Sequence, residues 1–346
     1  MRLRFVLAAC LTLVAMFTPN LTKAQEISNA PGNEVLDRFV GVWDLKSTLK
    51  PAKWNPEGGE TTGKESTVWA LKNRIIMIRD VSSPDGRKGL FISTHDTQKD
   101  AYPFWCFDSN GLPGTQWQIK WNAESGGTTG RSTDSPPAWT SGGQHRFPDG
   151  NTIMNTVWMR DENGELLMEH DGHKDRLPAD REAAIVAAWK KHEPPADLPA
   201  ELKVLDRLIG EWDTVTIQRQ AEWTPAGGRS TAKITREWIL NGRFVMDKSL
   251  HSNGDESIAI LGYDSGQKTY RSWWFNSQGH RNDSRGQWAE ASQTLSYRTE
   301  LEDGKSMRSS VRFADPNKEV WQFKVTDADG KVYLDMDITA TRRKAR

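Results

Sequence analysis

Cysteine is nearly absent from this 346-residue chain, which has only Cys10 and Cys106, and tyrosine is scarce at five. Two cysteines cannot build the disulfide framework of a small secreted scaffold. Cys-x-x-Cys and His-Glu-x-x-His are both missing, which argues against a structural zinc site, and without Gly-x-Ser-x-Gly there is no nucleophile elbow. Neither sign of charge is in excess. With 46 basic residues against 46 acidic ones, the chain lacks the basic footprint of a nucleic-acid partner. A mean hydropathy of -0.70 excludes a polytopic membrane protein.

The abundant residue is tryptophan, with 16 copies, so large aromatic surfaces either pack cores or meet ligands. At the N-terminus Arg2 and Arg4 precede an apolar run from Phe5 to Phe17 and the small-residue site Thr22-Lys23-Ala24. This reads as a signal peptide over residues 1–24, so the protein is expected to be exported, periplasmic or extracellular, with no transmembrane segment in the mature chain. Leu7-Ala8-Ala9-Cys10 offers an alternative, a lipoprotein box. Cleavage at Ala24 leaves Cys106 alone, and the mature cores then hold without an internal disulfide.

The chain is written twice. Asp37-Arg38-Phe39-Val40-Gly41-Val42-Trp43-Asp44 returns as Asp206-Arg207-Leu208-Ile209-Gly210-Glu211-Trp212-Asp213, and the same offset of 169 carries Trp54 onto Trp223 and Trp69 onto Trp238. The offset drifts to 168 at Trp105 and Trp273, and to 166 at Asn163-Gly164 and Asp329-Gly330. Two domains of ordinary size follow, over 33–177 and 200–346. Between them, residues 178–199 read as a helical linker centred on Asp180 to His192 and stopped by Pro194-Pro195. Within each copy the period is two, and Asp85-Gly86, Asn163-Gly164, Asn253-Gly254 and Asp329-Gly330 punctuate short β-prone runs. The fold class is all-β: two tandem antiparallel barrels, each entered by a short helix at Val35 to Phe39 or Ala200 to Leu208. Ala123 to Gly150, rich in Gly, Ser, Thr and Pro, reads as a long mobile loop.

A short helix followed by Gly41-Val42-Trp43 or Gly210-Glu211-Trp212, with a basic residue closing the last strand (Arg176 in the first copy, Arg342 or Arg343 in the second), resembles the calycin superfamily that includes the lipocalins. That resemblance implies structural roles for Trp43, Trp212, Arg176 and Arg342, each guanidinium stacking on an indole at the barrel floor. More narrowly, Trp238-x-Leu240-Asn241-Gly242-Arg243-Phe244, Gly262-Tyr263-Asp264, Tyr270, Trp273, Ser277-x-Gly279 and Thr341-Arg342 resemble the bacterial family called domain of unknown function 1579. The first copy departs from this pattern at Thr94-His95-Asp96 and after Ala123. The resemblance implies a calycin-like barrel and no particular reaction.

The expected function is non-enzymatic binding of a small hydrophobic or amphipathic molecule. Alternation and repeat matching point to Trp69, Met77, Trp105 and His170 in the first cavity, and to Trp238, Met246, Trp273 and Met336 in the second. His170 stands where the second copy has Met336. It is a candidate polar anchor or, since nitrobindins are calycin-like barrels that hold haem through a late histidine, a candidate haem ligand; a satisfied interior histidine is the plainer alternative. His170 and His173, three apart on a strand, point to opposite faces and form no metal pair. Two further readings stay open: an extracytoplasmic enzyme acting on lipid or carbohydrate with Asp96 and Asp264 as carboxylates, and a structural protein with filled barrels. In turns, these two aspartates also serve as backbone caps. Trp274, beside Trp273, must face the other way and is expected between the barrels or at a partner surface.

Overall fold

Each punctuating dipeptide turns the chain at a glycine with positive φ, from 67° at Gly86 to 85° at Gly254. In this computed structural model, which describes residues 32–344 except 84, 112, 134–138, 195–197 and 302–303, the runs between the turns are strands. The expected signal peptide and the Cys10 box lie outside the described residues. After helix α1 (Asn33–Asp37) come β1 (Gly41–Leu49), β2 (Gly59–Ala70), β3 (Ile75–Ser83), β4 (Lys88–Ser93), β5 (Tyr102–Asp108), β6 (Pro113–Asn122), β7 (Gly127–Ser132), β8 (Trp139–Asp149), β9 (Thr152–Asp161) and β10 (Leu166–Leu177). A 3-10 segment at Ala200–Leu208 opens the second series: β11 (Gly210–Gln218), β12 (Gly228–Ile239), β13 (Phe244–His251), β14 (Glu256–Asp264), β15 (Thr269–Asn276), β16 (Arg281–Ala289), β17 (Thr294–Glu300), β18 (Ser306–Asp315), β19 (Lys318–Thr326) and β20 (Val332–Arg342). In each series every strand pairs with the next and the first pairs with the last, giving two closed ten-stranded antiparallel barrels. Closure removes the exposed edges of a sheet. Eight strands make a barrel that side chains or one small ligand can fill, and ten make a wider one.

Each barrel is closed at one end by its own N-terminal segment. In the first, Val35, Leu36 and Phe39 pack with Trp43, Ile76, Ile78, Tyr102 and Ile119. In the second, Leu202, Leu205 and Leu208 pack with Val245, Leu261, Tyr270 and Leu295. The Gly-x-Trp motif has a direct physical cause. Trp43 Nε1 donates to Phe39 O at 2.9 Å and Trp212 Nε1 to Leu208 O at 2.8 Å. The Arg176 and Arg342 guanidinium carbons each lie 4.2 Å from the centroid of the matching indole. A Cβ on Gly41 or Gly210 would meet that guanidinium, and both residues hold positive φ, 145° and 128°. Only glycine meets both requirements.

One sequence expectation is corrected, and the helix expected between the barrels is present. Ala123 to Gly150 is not a long loop, since it contains all of β7 and β8, paired to β6 and β9. Its glycines are strand residues because neighbours occupy the space of a side chain: the Ile119 side chain at Gly130, the Trp158 ring at Gly142 and the β9 backbone at Gly143. The segment after β10 forms helix α2 (Glu182–Lys190), and it packs against β2 and β3. Ile185 and Trp189 are its buried residues, and Trp189 Nε1 donates to Gly89 O at 2.7 Å. The chain divides into two compact units between residues 194 and 195, so α2 belongs with the first barrel.

Candidate functional site

Strand register fixes which side chains face each barrel axis. Trp69 opposes Ile76, and Ile76 and Ile78 pack on α1, so Trp69, Ile76, Ile78 and Asp80 point inward. Met77 therefore points outward. It opposes Ile92, which opposes Trp105, and all three share the outer face with Arg79, whose Cζ lies 5.7 Å from the Trp189 ring. The same logic in the second barrel puts Trp238 inward with Val245, while Met246 opposes Ile260 and Trp273 on the outer face. His170 and Met336 face inward at equivalent positions, opposite Leu49 and Gln218. The structure thus brings Trp69 and His170 into one lumen, and Trp238 and Met336 into the other, but corrects the placement of Met77, Trp105, Met246 and Trp273. The cause is the connection between β2 and β3: residues 71–74 are four, an even number, so an odd-numbered residue on β2 shares its face with an even-numbered one on β3. Trp274 is corrected too, since it faces the second lumen beside Ser272.

The lumen of the first barrel has an apolar closed end and a polar middle. Around α1 the packing leaves a cavity of about 20 Å³ bordered by Ser93, Thr128 and His145, which suits a single water. Above it, Lys174 Nζ donates to Glu65 Oε2 at 2.5 Å, and Thr67 Oγ1 to Glu65 Oε1 at 3.0 Å. Asp80, only 6% exposed, sits on the same wall as Glu65. Burial raises the Asp80 carboxyl to about 6, against the opposing pull of Arg87. One oxygen accepts from Ser82 Oγ at 3.3 Å, and the other, Oδ1, has no partner among the described residues. A Cβ on Gly89 would collide with that Oδ1, so the absent side chain makes room for the carboxylate. His145 shares a 3.0 Å hydrogen bond with Thr128 Oγ1, and burial, with the nearby Lys174 charge, depresses it to about 3. Burial also lowers His170, whose Nε2 lies 3.4 Å from Asn155 Nδ2.

Further apolar side chains line the axis, of which Phe91 and Phe104 pack against the core around α1. Phe91, Phe104, Trp117, Val157, Met159 and Met168 all face the axis, yet each retains intermediate exposure. Ser141, opposite Met159, adds a second buried oxygen without a partner.

The second barrel fills the corresponding middle with charge. Arg236 Nε donates to Asp247 Oδ2 at 2.6 Å and Nη1 to Glu319 Oε2 at 2.7 Å, and Trp321 Nε1 donates to the same Glu319 oxygen at 3.0 Å. The Trp212 and Trp321 rings lie 5.6 Å from the guanidinium. Register places Thr67, Ile78 and Ile153 of the first barrel where these three charges stand, so the plug belongs to one copy alone. Sequence reasoning passed over Glu65, Asp80, Lys174, Arg236 and Glu319 because charged strand residues read as solvent-facing. Counting faces outward from Trp43 and Arg176 would have found Glu65 and Lys174.

The carboxylates considered for catalysis are turn caps. Asp96 Oδ1 accepts from the backbone N–H groups of Gln98 and Lys99 at 3.1 and 3.2 Å, and Asp264 Oδ1 from Gln267 at 3.0 Å. Among the described residues no cluster of three or more His, Cys, Asp or Glu is placed to hold a metal ion. No described helix is long and apolar enough to cross a membrane.

No curated protein matches the chain. Similar solved structures include a protein of unknown function from the DUF3598 family of Nostoc punctiforme PCC 73102, with 11% identity over 88% of this chain and 97% of that one and a TM-score of 0.27. An S-type phycobiliprotein lyase from Guillardia theta is 8% identical over 42% of this chain and 92% of its own, with a TM-score of 0.32. A putative AttH from Nitrosomonas europaea is 10% identical over 94% of this chain and 99% of its own, with a TM-score of 0.17. Residues 199–342, the second barrel, match the family described as protein of unknown function (DUF1579).

Proposed function

We infer that this is an exported, non-enzymatic binding protein that holds a small amphipathic molecule in the lumen of its first barrel, and that both barrels are copies of one family domain. The observation that carries the reading is the pairing, in one lumen, of inward apolar side chains that are only partly buried with the unpartnered, buried Asp80 Oδ1. An apolar body fits along Phe91, Phe104 and Trp117, and a polar head that donates hydrogen bonds meets Asp80, where an unpaired acceptor otherwise costs about 1–3 kcal/mol. The second barrel, plugged by Arg236 and Glu319, serves a structural role. The turn-capping geometry of Asp96 and Asp264 favours binding over catalysis. Export rests on the charged start, the apolar run and the small-residue site of the first 24 residues, and N-terminal sequencing of the exported protein is expected to begin at Gln25.

The test is titration with a panel of amphipathic molecules followed by tryptophan fluorescence. The reading expects saturable binding that weakens at least tenfold in Trp117→Ala and in Asp80→Asn, and that is unchanged in Met246→Leu on the outer face of the other barrel. Equal losses in all three variants, or no binding, would remove it.

A further inference from the structure

The outer wall of the second barrel carries a row of like charges that stability does not explain. Arg285 on β16 directly opposes Arg298 on β17, which opposes Arg308 on β18, which opposes Lys324 on β19. Like charges placed directly opposite one another on neighbouring strands destabilise a sheet. All four side chains are exposed. Arg298 is partly neutralised by Glu300 at 2.7 Å and Lys324 by Asp335 at 3.7 Å. Arg285 feels the charge of Asp283, two residues away on the same face of β16, and Arg308, on the other side of Arg298, makes no ion pair among the described residues. At the far end Asp335 and Asp337 are both held by Arg219. The row borders a recess of about 810 Å³ whose remaining lining is rich in hydroxyl and amide groups, Ser296, Ser310 and Gln322 among them.

We propose that this recess is a binding site for a linear acidic polysaccharide, one carrying a carboxylate on successive sugars. The row crosses three strand intervals, roughly 14 Å, so it presents cations in a line at a spacing of about 4.8 Å. A chain of regularly spaced carboxylates, laid across the strands, can engage Arg285, Arg298 and Arg308 in turn through forked hydrogen bonds. Sugar hydroxyls find partners in the serine and glutamine side chains between them. Tyr297 and Phe323 border the recess, but both belong to the inward-facing sets of their strands, so single-stranded nucleic acid lacks a ring on the outer face on which bases could stack. A flat membrane surface fits a recess poorly. The site is separate from the lumen of the first barrel and stands whether or not that lumen binds a ligand.

The experiment measures binding of polygalacturonate to the full chain by calorimetry at several salt concentrations. Uncharged dextran, a single-stranded oligonucleotide and phosphatidylglycerol vesicles are run beside it. The expected result is polygalacturonate binding that weakens steeply with salt, at least tenfold lower affinity in the double variant Arg285→Gln, Arg308→Gln, and a melting temperature in that variant no lower than the parent's. Arg312→Gln, an exposed cation outside the row, is expected to bind as the parent does. A flat salt dependence overturns the proposal even if the double variant does not fold. So does an equal loss in Arg312→Gln, or tighter binding of the oligonucleotide or the vesicles.

Discussion

Arg236 on β12 and Glu319 on β19 meet across the interior of the second barrel at 2.7 Å, with side chains 3% and 0% exposed. Removing one member leaves the other as a buried, uncompensated charge, which costs about 3–5 kcal/mol. Arg236→Met is therefore expected to lower the stability of the second barrel by that amount, read from urea unfolding. A loss under about 1 kcal/mol would mean that water reaches the pair and that the plug is not dry.

At the barrel floors the guanidinium does more than supply charge. Arg176 Cζ lies 4.2 Å from the centroid of the Trp43 ring while Nε donates to Gly150 O and Nη1 to Val40 O, both at 2.9 Å. Arg176→Ala should cost roughly 2 kcal/mol from the lost stacking and the two orphaned carbonyls. Arg176→Lys should recover little, because an ammonium cannot stack and fork at once. Thermal melting decides, and a lysine variant as stable as the parent would show that only the charge matters.

Asp80 and His145 oppose each other in their response to pH. The folded Asp80 is raised from 3.8 to about 6, so its contribution is complete below about pH 4 and is lost as pH rises through 6. The folded His145 is depressed from 6.5 to about 3, so its contribution is complete above about pH 6.5 and is lost as pH falls toward 3. Between pH 4 and 6 the two slopes cancel. Asp80→Asn should leave the histidine slope exposed, so that stability falls by up to about 1.4 kcal/mol per pH unit more steeply on acidification than in the parent. His145→Gln should tilt the profile the other way. Parallel profiles for parent and variants would place both groups in water.

How far the sequence disclosed this molecule depends on the kind of signal. The twofold repeat, the tight turns and the Gly-x-Trp entry left marks at fixed spacing, and the two barrels follow from them. The facing of β3 did not, because it turns on the number of residues between β2 and β3 and on positive-φ backbone at Leu71, Lys72 and Asn73, which sequence does not advertise. Ile75 to Ile78 are apolar without interruption, being buried on both faces, so alternation there carries no phase. Lys174 was hidden for a different reason. A lysine on a strand looks solvent-facing until its partner Glu65 is seen beside it on the inner wall.

The central claim is that the lumen of the first barrel holds a small amphipathic molecule against Asp80. Native mass spectrometry of the full chain, purified without detergent, tests it most directly. The expected result is a bound small molecule of defined mass that disappears in Trp117→Ala and Asp80→Asn and persists in Arg236→Met, whose barrel is the other one. A mass equal to that of the bare chain, with no binding from an added amphipathic panel, would contradict it.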